Sequence, residues 1–472
     1  MDLEFIQNLK LKFSIVPDTI VALATPPGIG AIGVIRLSGP LAIQIVDTVF
    51  HGKKLSKQAS HTIHFGTIRD EQNLILDEVL VSLFVEPSSY TGENVVEISC
   101  HGSNYIIQEL IRLFIRSGAR AAQPGEFTLR AFLNGQMDLA QAEAVADLIA
   151  ASSEAAQQVA INQLRGGIST EIKKLRQELI DFASLIELEL DFGEEDVEFA
   201  NRVQLKALVQ QLLRFIHKLL ESFQLGNAIK EGVITVIAGR PNAGKSTLLN
   251  ALLNEDRAIV SEIAGTTRDT IEESLNIQGI QFRIIDTAGI REASDAIEAI
   301  GVQKTLEKVR QSAVLIYLFD VIKTQPAQLE ADLAQLVHPD TQLLVVANKM
   351  DLNPYTEYKH YANPHFSAEQ WIPISAANEM NIEYLKERLY QTVVGNQVSM
   401  DSAIISNLRH YDALQKAQES LEAVIQGLEN VVTTDFIAMD IRHALAYLGE
   451  ITGEISTEDL LDNIFSRFCI GK

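Results

Sequence analysis

The chain has 472 residues, 47% of them hydrophobic, and carries 39 Lys and Arg against 62 Asp and Glu for a net charge of −23, which opposes loose electrostatic attachment to nucleic acid, since that needs cations to displace counterions from phosphates, so any RNA must be held by a local basic patch or a partner. Its mean hydropathy is +0.09, acids occupy Met1-Asp-Leu-Glu-Phe-Ile where a secretory leader carries lysines, and no apolar run reaches the ~18 residues of a membrane span, so a cytoplasmic protein with no membrane association is predicted. Two cysteines, Cys100 and Cys469, without Cys-x-x-Cys spacing exclude a disulfide framework and a structural zinc site.

The length suggests about three domains. Residues 1–137 read as an α+β domain, with the turn-rich Pro26-Pro27-Gly28-Ile29-Gly30 and Gly33–Gly39 followed by the apolar segments Val79–Val85 and Val95–Ile98. Gly28, Gly30 and Gly33 match a dinucleotide fingerprint by letter only, because neither a strand-to-helix context nor a suitably distant acid accompanies them. Residues 138–231 are rich in Ala, Leu, Gln and Glu with helical periodicity. Within them the acidic run Glu187–Asp196 lacks the glycine and terminal glutamate of a calcium loop and reads as a solvated helix end. Residues 232–392 alternate helical stretches with the strand candidates Val233–Ala238, Phe282–Ile285, Val314–Phe319, Leu343–Ala347 and Ile372–Ile374, which predicts a mostly parallel, doubly wound sheet. Residues 393–472 return to helix, with Leu414, Ala417, Leu421, Val424, Ile425 and Leu428 on one face. The expected architecture is a multidomain α/β and α protein in which a P-loop domain is inserted in a helical bundle and preceded by an α+β domain.

Chemistry concentrates in the inserted domain. The apolar run Val233–Ala238 leads into Gly239-Arg-Pro-Asn-Ala-Gly-Lys-Ser246 and then a helix beginning near Thr247. Such a turn aims backbone N–H groups and a positive helix end at one point, as a polyphosphate requires. Asn242, Ala243 and Gly244 line the loop, Lys245 reaches the β- and γ-phosphates, and Ser246 holds Mg²⁺. Asp286-Thr287-Ala288-Gly289 ends a strand, which suits an acid near the metal and a Gly289 N–H facing the γ-phosphate. In Asn348-Lys349-Met350-Asp351 the last carboxylate can accept both the N1–H and the 2-amino group of guanine, which adenine cannot offer, so GTP is favoured over an ATP-driven reaction. Ser375, Ala376 and Ala377 follow the next strand and would line the same base. Between the first two motifs, Gly265-Thr266-Thr267 offers a threonine, Thr267 before Thr266, to complete the Mg²⁺ shell. Ile290 stands where many small GTPases place a water-orienting glutamine, so hydrolysis must be organised differently.

Together with Thr25–Gly28, Tyr90-Thr-Gly-Glu93, Pro124-Gly-Glu-Phe127, Asp138-Leu-Ala-Gln-Ala-Glu143, Asp286–Ser294 and Phe468-Cys-Ile-Gly-Lys472, these residues resemble the MnmE, or TrmE, family of tRNA modification GTPases from Thr19 onwards. The resemblance implies a K⁺ ion beside the nucleotide, held by Asn242, Ser261, Ile263 and Thr266. It adds Ser261, Glu262, Ile263 and Ala264 to the GTP-binding segment and makes Glu298 the residue that aligns the water. It implies a homodimer whose nucleotide domains meet across their switch loops. It further implies a MnmG-like flavoprotein in a heterotetramer, a tRNA substrate modified at C5 of the wobble uridine, and a tetrahydrofolate derivative (5-formyl- or methylene-tetrahydrofolate) in the first domain.

By motif position the folate contacts are Arg36, Glu97, Gln136 and Lys472, with Gln136 replacing the family's usual lysine. Without the resemblance, Arg36 and Glu97 fit an ordinary surface ion pair. Cys469, among Ile464, Phe465, Phe468 and Ile470, by itself fits a packed thiol; the resemblance makes it a candidate catalytic residue. Cys100 reads as structural and His101 as a packing or hydrogen-bonding histidine. A ribosome-assembly or signalling GTPase without modification chemistry is the alternative, although neither flank reads as a KH module with a Gly-x-x-Gly clamp in basic surroundings.

Overall fold

The computed structural model describes residues 18–191, 201–253, 272–286, 309–310, 312–338, 341–394, 404–430, 432–456 and 458–471. They fall into two compact units, one within Met1–Ile149, Gln163–Arg214 and Ala413–Lys472, the other within Ala150–Asn162 and Phe215–Asp412.

The first unit opens with β1 (Ile20–Leu23), β2 (Ile32–Ser38), α1 (Ala42–Val49), β3 (Phe50–His51), β4 (Thr62–Arg69), β5 (Ile75–Phe84), β6 (Val95–His101), α2 (Asn104–Arg116), β7 (Arg120–Ala121) and α3 (Glu126–Leu133). The sheet order is β3-β4-β5-β6-β2-β1-β7, antiparallel except for the parallel β1–β7 pair. Period-two alternation sends Val79, Val81 and Leu83 of β5 into a core completed by α1 and α2. The same alternation places Arg36 of β2 opposite Glu97 of β6.

The chain continues through α4 (Leu139–Ala150), α5 (Glu154–Leu164), α6 (Gly167–Asp191) and α7 (Arg202–Glu231). Asp138 caps α4: Gln141 N–H donates to its carboxylate at 2.9 Å, and Gln141 Oε1 accepts the Asp138 N–H at 2.9 Å. At the acidic end of α6, Glu189 departs from the solvated expectation: it is buried at 8% exposure and accepts from Arg202 at 2.5 Å, an arginine that compensates its removal from water. Glu187 stays exposed and pairs with Arg442, and Glu194, Glu195 and Asp196 lie outside the described residues.

The second sheet and its helices are β8 (Val233–Ala238), α8 (Lys245–Leu253), β9 (Glu272–Ile277), β10 (Ile280–Asp286), β11 (Val314–Asp320), α9 (Pro326–Leu336), β12 (Gln342–Asn348), β13 (Trp371–Pro373) and α10 (Ile382–Val394). Their order is β13-β12-β11-β8-β10-β9. All neighbours run parallel except β9, which pairs antiparallel with β10 at the edge. Both faces are covered: Val314, Ile316 and Leu318 pack towards α8 and α10, while Leu315, Tyr317 and Phe319 pack towards α9. The five expected strands are present to within a few residues, and β9 is an addition. Its Glu-Glu-Ser-Leu-Asn-Ile sequence carries only two apolar side chains, too few to reveal alternation.

The chain ends with α11 (Leu408–Glu429), α12 (Thr434–Thr452) and α13 (Glu458–Phe465). Arg176 of α6 donates to the Leu445 carbonyl of α12 at 3.1 Å and pairs with Glu454, and Lys206 of α7 pairs with Glu429 of α11 at 2.7 Å. The two helical segments flanking the second sheet in sequence therefore pack together. Among the described residues no helix is long and apolar enough to cross a membrane, and no cluster of His, Cys, Asp and Glu could hold a metal.

Candidate functional site

The phosphate loop is shaped by backbone that only small or adaptable residues accept. Gly239 leaves β8 at φ +155°, and a Cβ there would lie 2.1 Å from the Leu318 carbonyl oxygen. Gly244 has φ +101°, with its Cβ position 2.4 Å from Asn348 Nδ2, and Asn242 takes a left-handed φ of +62° between them. Helix α8 then starts at Lys245, so its unpaired N–H groups and positive end face the loop. The Lys245 side chain is buried and its ammonium donates to the Gly239 carbonyl at 2.9 Å and the Arg240 carbonyl at 3.2 Å. Ser246 and Thr247 are exposed beside it, and Ala243 is buried.

The base motif is riveted to this loop. Asn348, at the end of β12 and 3% exposed, donates from Nδ2 to the Ala243 carbonyl at 2.8 Å, while its Oδ1 accepts the Ala376 N–H at 3.0 Å. Lys349, at φ +70°, sends its ammonium to Asp320 Oδ2 at 2.6 Å and to the Asn242 carbonyl at 3.3 Å. Ser375 donates its hydroxyl to Asp351 Oδ1 at 2.6 Å, leaving the exposed Asp351 carboxylate oriented at the rim, where Ala377 is also exposed. Asn242, Ala243, Gly244, Lys245, Asn348, Lys349, Asp351, Ser375 and Ala376 are thus brought together.

Asp320 is a member that the motifs do not reveal. Burial would raise its carboxyl, but the Lys349 ammonium and the N–H groups of Ile322 and Lys323 hold it below the ordinary carboxylate range. An acid ending the wholly buried strand β11 was the available signal. Asp286 ends β10 in register with Ile237. Thr287, Ala288, Gly289, Ser261, Glu262, Ile263, Ala264, Gly265, Thr266, Thr267 and Glu298 lie outside the described residues, as does Lys472.

In the first unit, Arg36 donates Nε to Glu97 Oε1 at 2.8 Å. Its guanidinium lies 5.3 Å from the centre of the Tyr90 ring and 5.6 Å from that of Phe127. Arg36 Nη1 also donates to the Gly471 carbonyl at 3.4 Å. The carboxyl-terminal residues reach this place because Ile470 bridges to Pro124, and Gly471, at φ +96°, leaves no room for a Cβ against the Leu23 carbonyl. Cys469 is exposed on that tail, and its carbonyl accepts the Gly125 N–H at 3.4 Å. Gln136 is exposed near Gly92.

Arg130, 2% exposed, holds Asp18, Glu93 and Glu126 beneath this region at 2.6, 3.2 and 3.0 Å. Glu93 and Glu126 belong to the Tyr90–Glu93 and Pro124–Phe127 motifs, yet their shared arginine was not legible from spacing. Cys100 is buried and donates to the Gly33 carbonyl; burial, then the nearby Asp77 charge, push its thiol up to about 11. His101 contacts Asp77 at 2.6 Å. Both therefore serve the fold.

The MnmE helical domain family matches residues 139–469, and the family described as the GTP-binding protein TrmE N-terminus matches residues 19–136. The tRNA modification GTPase MnmE of Cytophaga hutchinsonii is 56% identical over 455 residues, covering 96% of this chain and 98% of that protein. Its counterpart of the same name in Christiangramia forsetii is 52% identical over 472 aligned residues, covering 96% and 99%. Among solved structures, Aquifex aeolicus Era bound to GDP·AlF4⁻ is 25% identical, covering 40% of this chain and 66% of that chain with a TM-score of 0.28. Two family domains matched in chain order, and majority identity to a relative across nearly the whole of both chains, show that the chain belongs to the MnmE (TrmE) family of tRNA modification GTPases.

Proposed function

We propose that this protein is a K⁺-stimulated GTPase that hydrolyses GTP to GDP and phosphate. As a cytoplasmic homodimer with a MnmG-like flavoprotein in a heterotetramer, it forms aminomethyl or carboxymethylaminomethyl groups at C5 of the tRNA wobble uridine. In this reading residues 1–137 bind a tetrahydrofolate derivative, 138–231 and 393–472 form the helical domain, and 232–392 form the nucleotide domain.

The observation that carries the reading is the seam between the phosphate loop and the base motif, where Asn348 and Lys349 bond the carbonyls of Ala243 and Asn242. It sets the two ends of a guanine nucleotide at a defined separation before one binds. Lys245 would then offset phosphate charge, and Asp351 would select guanine by accepting its paired N–H donors. Ser246, with Thr267, would hold Mg²⁺. K⁺ would be held by Asn242 together with Ser261, Ile263 and Thr266. Both ions supply positive charge that offsets charge growing on the phosphates. Glu298 would orient water.

Arg36, set between two aromatic rings and neutralised by Glu97, suits a ring ligand bearing hydrogen-bonding edges, and the folate reading adds Gln136 and Lys472. The exposure of Cys469 on a tail anchored beside Arg36 supports a reactive rather than a packed thiol.

The test is wobble-nucleoside mass spectrometry in cells lacking the protein. The C5 substituent is lost and returns with the wild-type gene. Cys469→Ser keeps GTP hydrolysis and fails to restore the substituent; full restoration would leave the thiol without a role.

A further inference from the structure

Arg240 is the first residue after the loop glycine, and its side chain is turned to a helix that covers the sheet. Its guanidinium makes a two-pronged pair with Asp332 of α9, Nε to Oδ2 at 2.7 Å and Nη2 to Oδ1 at 3.0 Å. Asp332 also accepts the hydroxyl of Tyr317, which is 1% exposed on β11. Burial would raise the Asp332 carboxyl, but Arg240 and Tyr317 together hold it below the ordinary range. Ionised and held by three donors, it is a fixed point on the face of the sheet packed by α9.

What hangs from that point is the loop. The Lys245 ammonium donates to the Arg240 carbonyl and to that of Gly239, and a Cβ at Gly239 would clash with the Leu318 carbonyl next to Tyr317. We propose that Asp332 is a positioning residue for the phosphate site: by clamping Arg240 it fixes the carbonyl pair that aims Lys245 at the phosphates. The proposal rests on reading this site as a guanine-nucleotide site. The pair spans 92 residues, and neither partner touches the nucleotide in that reading. A first contact held by a rigid second layer is what orients a charged side chain without cost at the moment of binding.

The test is calorimetric titration of GDP, with Mg²⁺, into the full chain and into Asp332→Asn, Arg240→Met, the double variant and Tyr317→Phe. Asp332→Asn and Arg240→Met should each weaken GDP binding about tenfold, with the double variant no weaker than either single, because both remove one clamp. Tyr317→Phe, which keeps the ion pair, should stay within about twofold. Asp332→Asn with wild-type GDP affinity and only a lower melting temperature would make the acid a partner for Tyr317 and nothing more, and losses that multiply in the double variant would also overturn the clamp. Should Asp332→Asn not fold, unchanged affinity in Arg240→Met, whose side chain is 43% exposed, overturns it equally. Wild-type protein that takes up no GDP would instead remove the nucleotide reading itself.

Discussion

Lys349 links two functions because an ammonium has three donors and no acceptor. It contacts the carboxylate of Asp320 and the carbonyl of Asn242 at once, so a residue of the base motif braces the phosphate loop. Asp351 does the opposite, ending a short chain from Ser375 with its carboxylate at the rim. Replacing it by Ala removes the only acceptor pair proposed for guanine, so GDP affinity measured by calorimetry should fall at least about 100-fold while ATP binding stays unchanged. Asp320 supplies a pH signature. Its folded carboxyl lies below the reference value of 3.8, so its stabilisation is complete above that value and is lost as pH falls through the lower folded one. The sole tryptophan, Trp371, is buried on β13 and reports this sheet. Urea midpoints from its fluorescence should separate wild type from Asp320→Asn near neutrality, and the gap should close progressively below about pH 3.8.

At the level of elements, caps and edges decide what periodicity leaves open. Helix α4 begins where it does because Asp138 exchanges bonds with Gln141 and also accepts Ser169 at 3.2 Å and Lys173 at 2.7 Å. Asp138→Ala should destabilise its first turn by about 1–2 kcal/mol, seen as amide exchange roughly tenfold faster over residues 139–143; unchanged exchange would assign the capping bonds no energetic weight. Strand β9 escaped the sequence reading because an edge strand needs only one buried face, and Leu275 and Ile277 alone supply it. The central strands were legible because both of their faces are buried, which leaves continuous apolar runs such as Val314–Phe319.

Over the whole molecule, charge is unevenly shared. Residues 18–137 hold nine Lys and Arg against eleven Asp and Glu, so almost all of the net −23 lies elsewhere. A tRNA in the proposed reaction therefore meets its weakest repulsion at that segment. The proposed cation-assisted hydrolysis has its own measurement. Exchanging K⁺ for Na⁺ should lower turnover by at least about tenfold, and Glu298→Ala should bind GTP normally while losing hydrolysis; equal rates in both salts would remove the cation from the mechanism.

The amino-acid order by itself determined the glycine-rich turn, the strand before it, the helix after it, the carboxylate proposed to select guanine and the family, because each depends on neighbours within a few residues or on motifs in sequence. Only the tertiary structure decided that Lys349 is held by Asp320, Arg240 by Asp332, and Arg36 by both Glu97 and the Gly471 carbonyl 435 residues further on. Those pairings depend on strand register, on which helix covers which sheet face and on where the chain's last residues settle. A charged side chain taken out of water is stabilised by whichever opposite group the packing brings within about 3 Å, and local sequence holds no record of that distance.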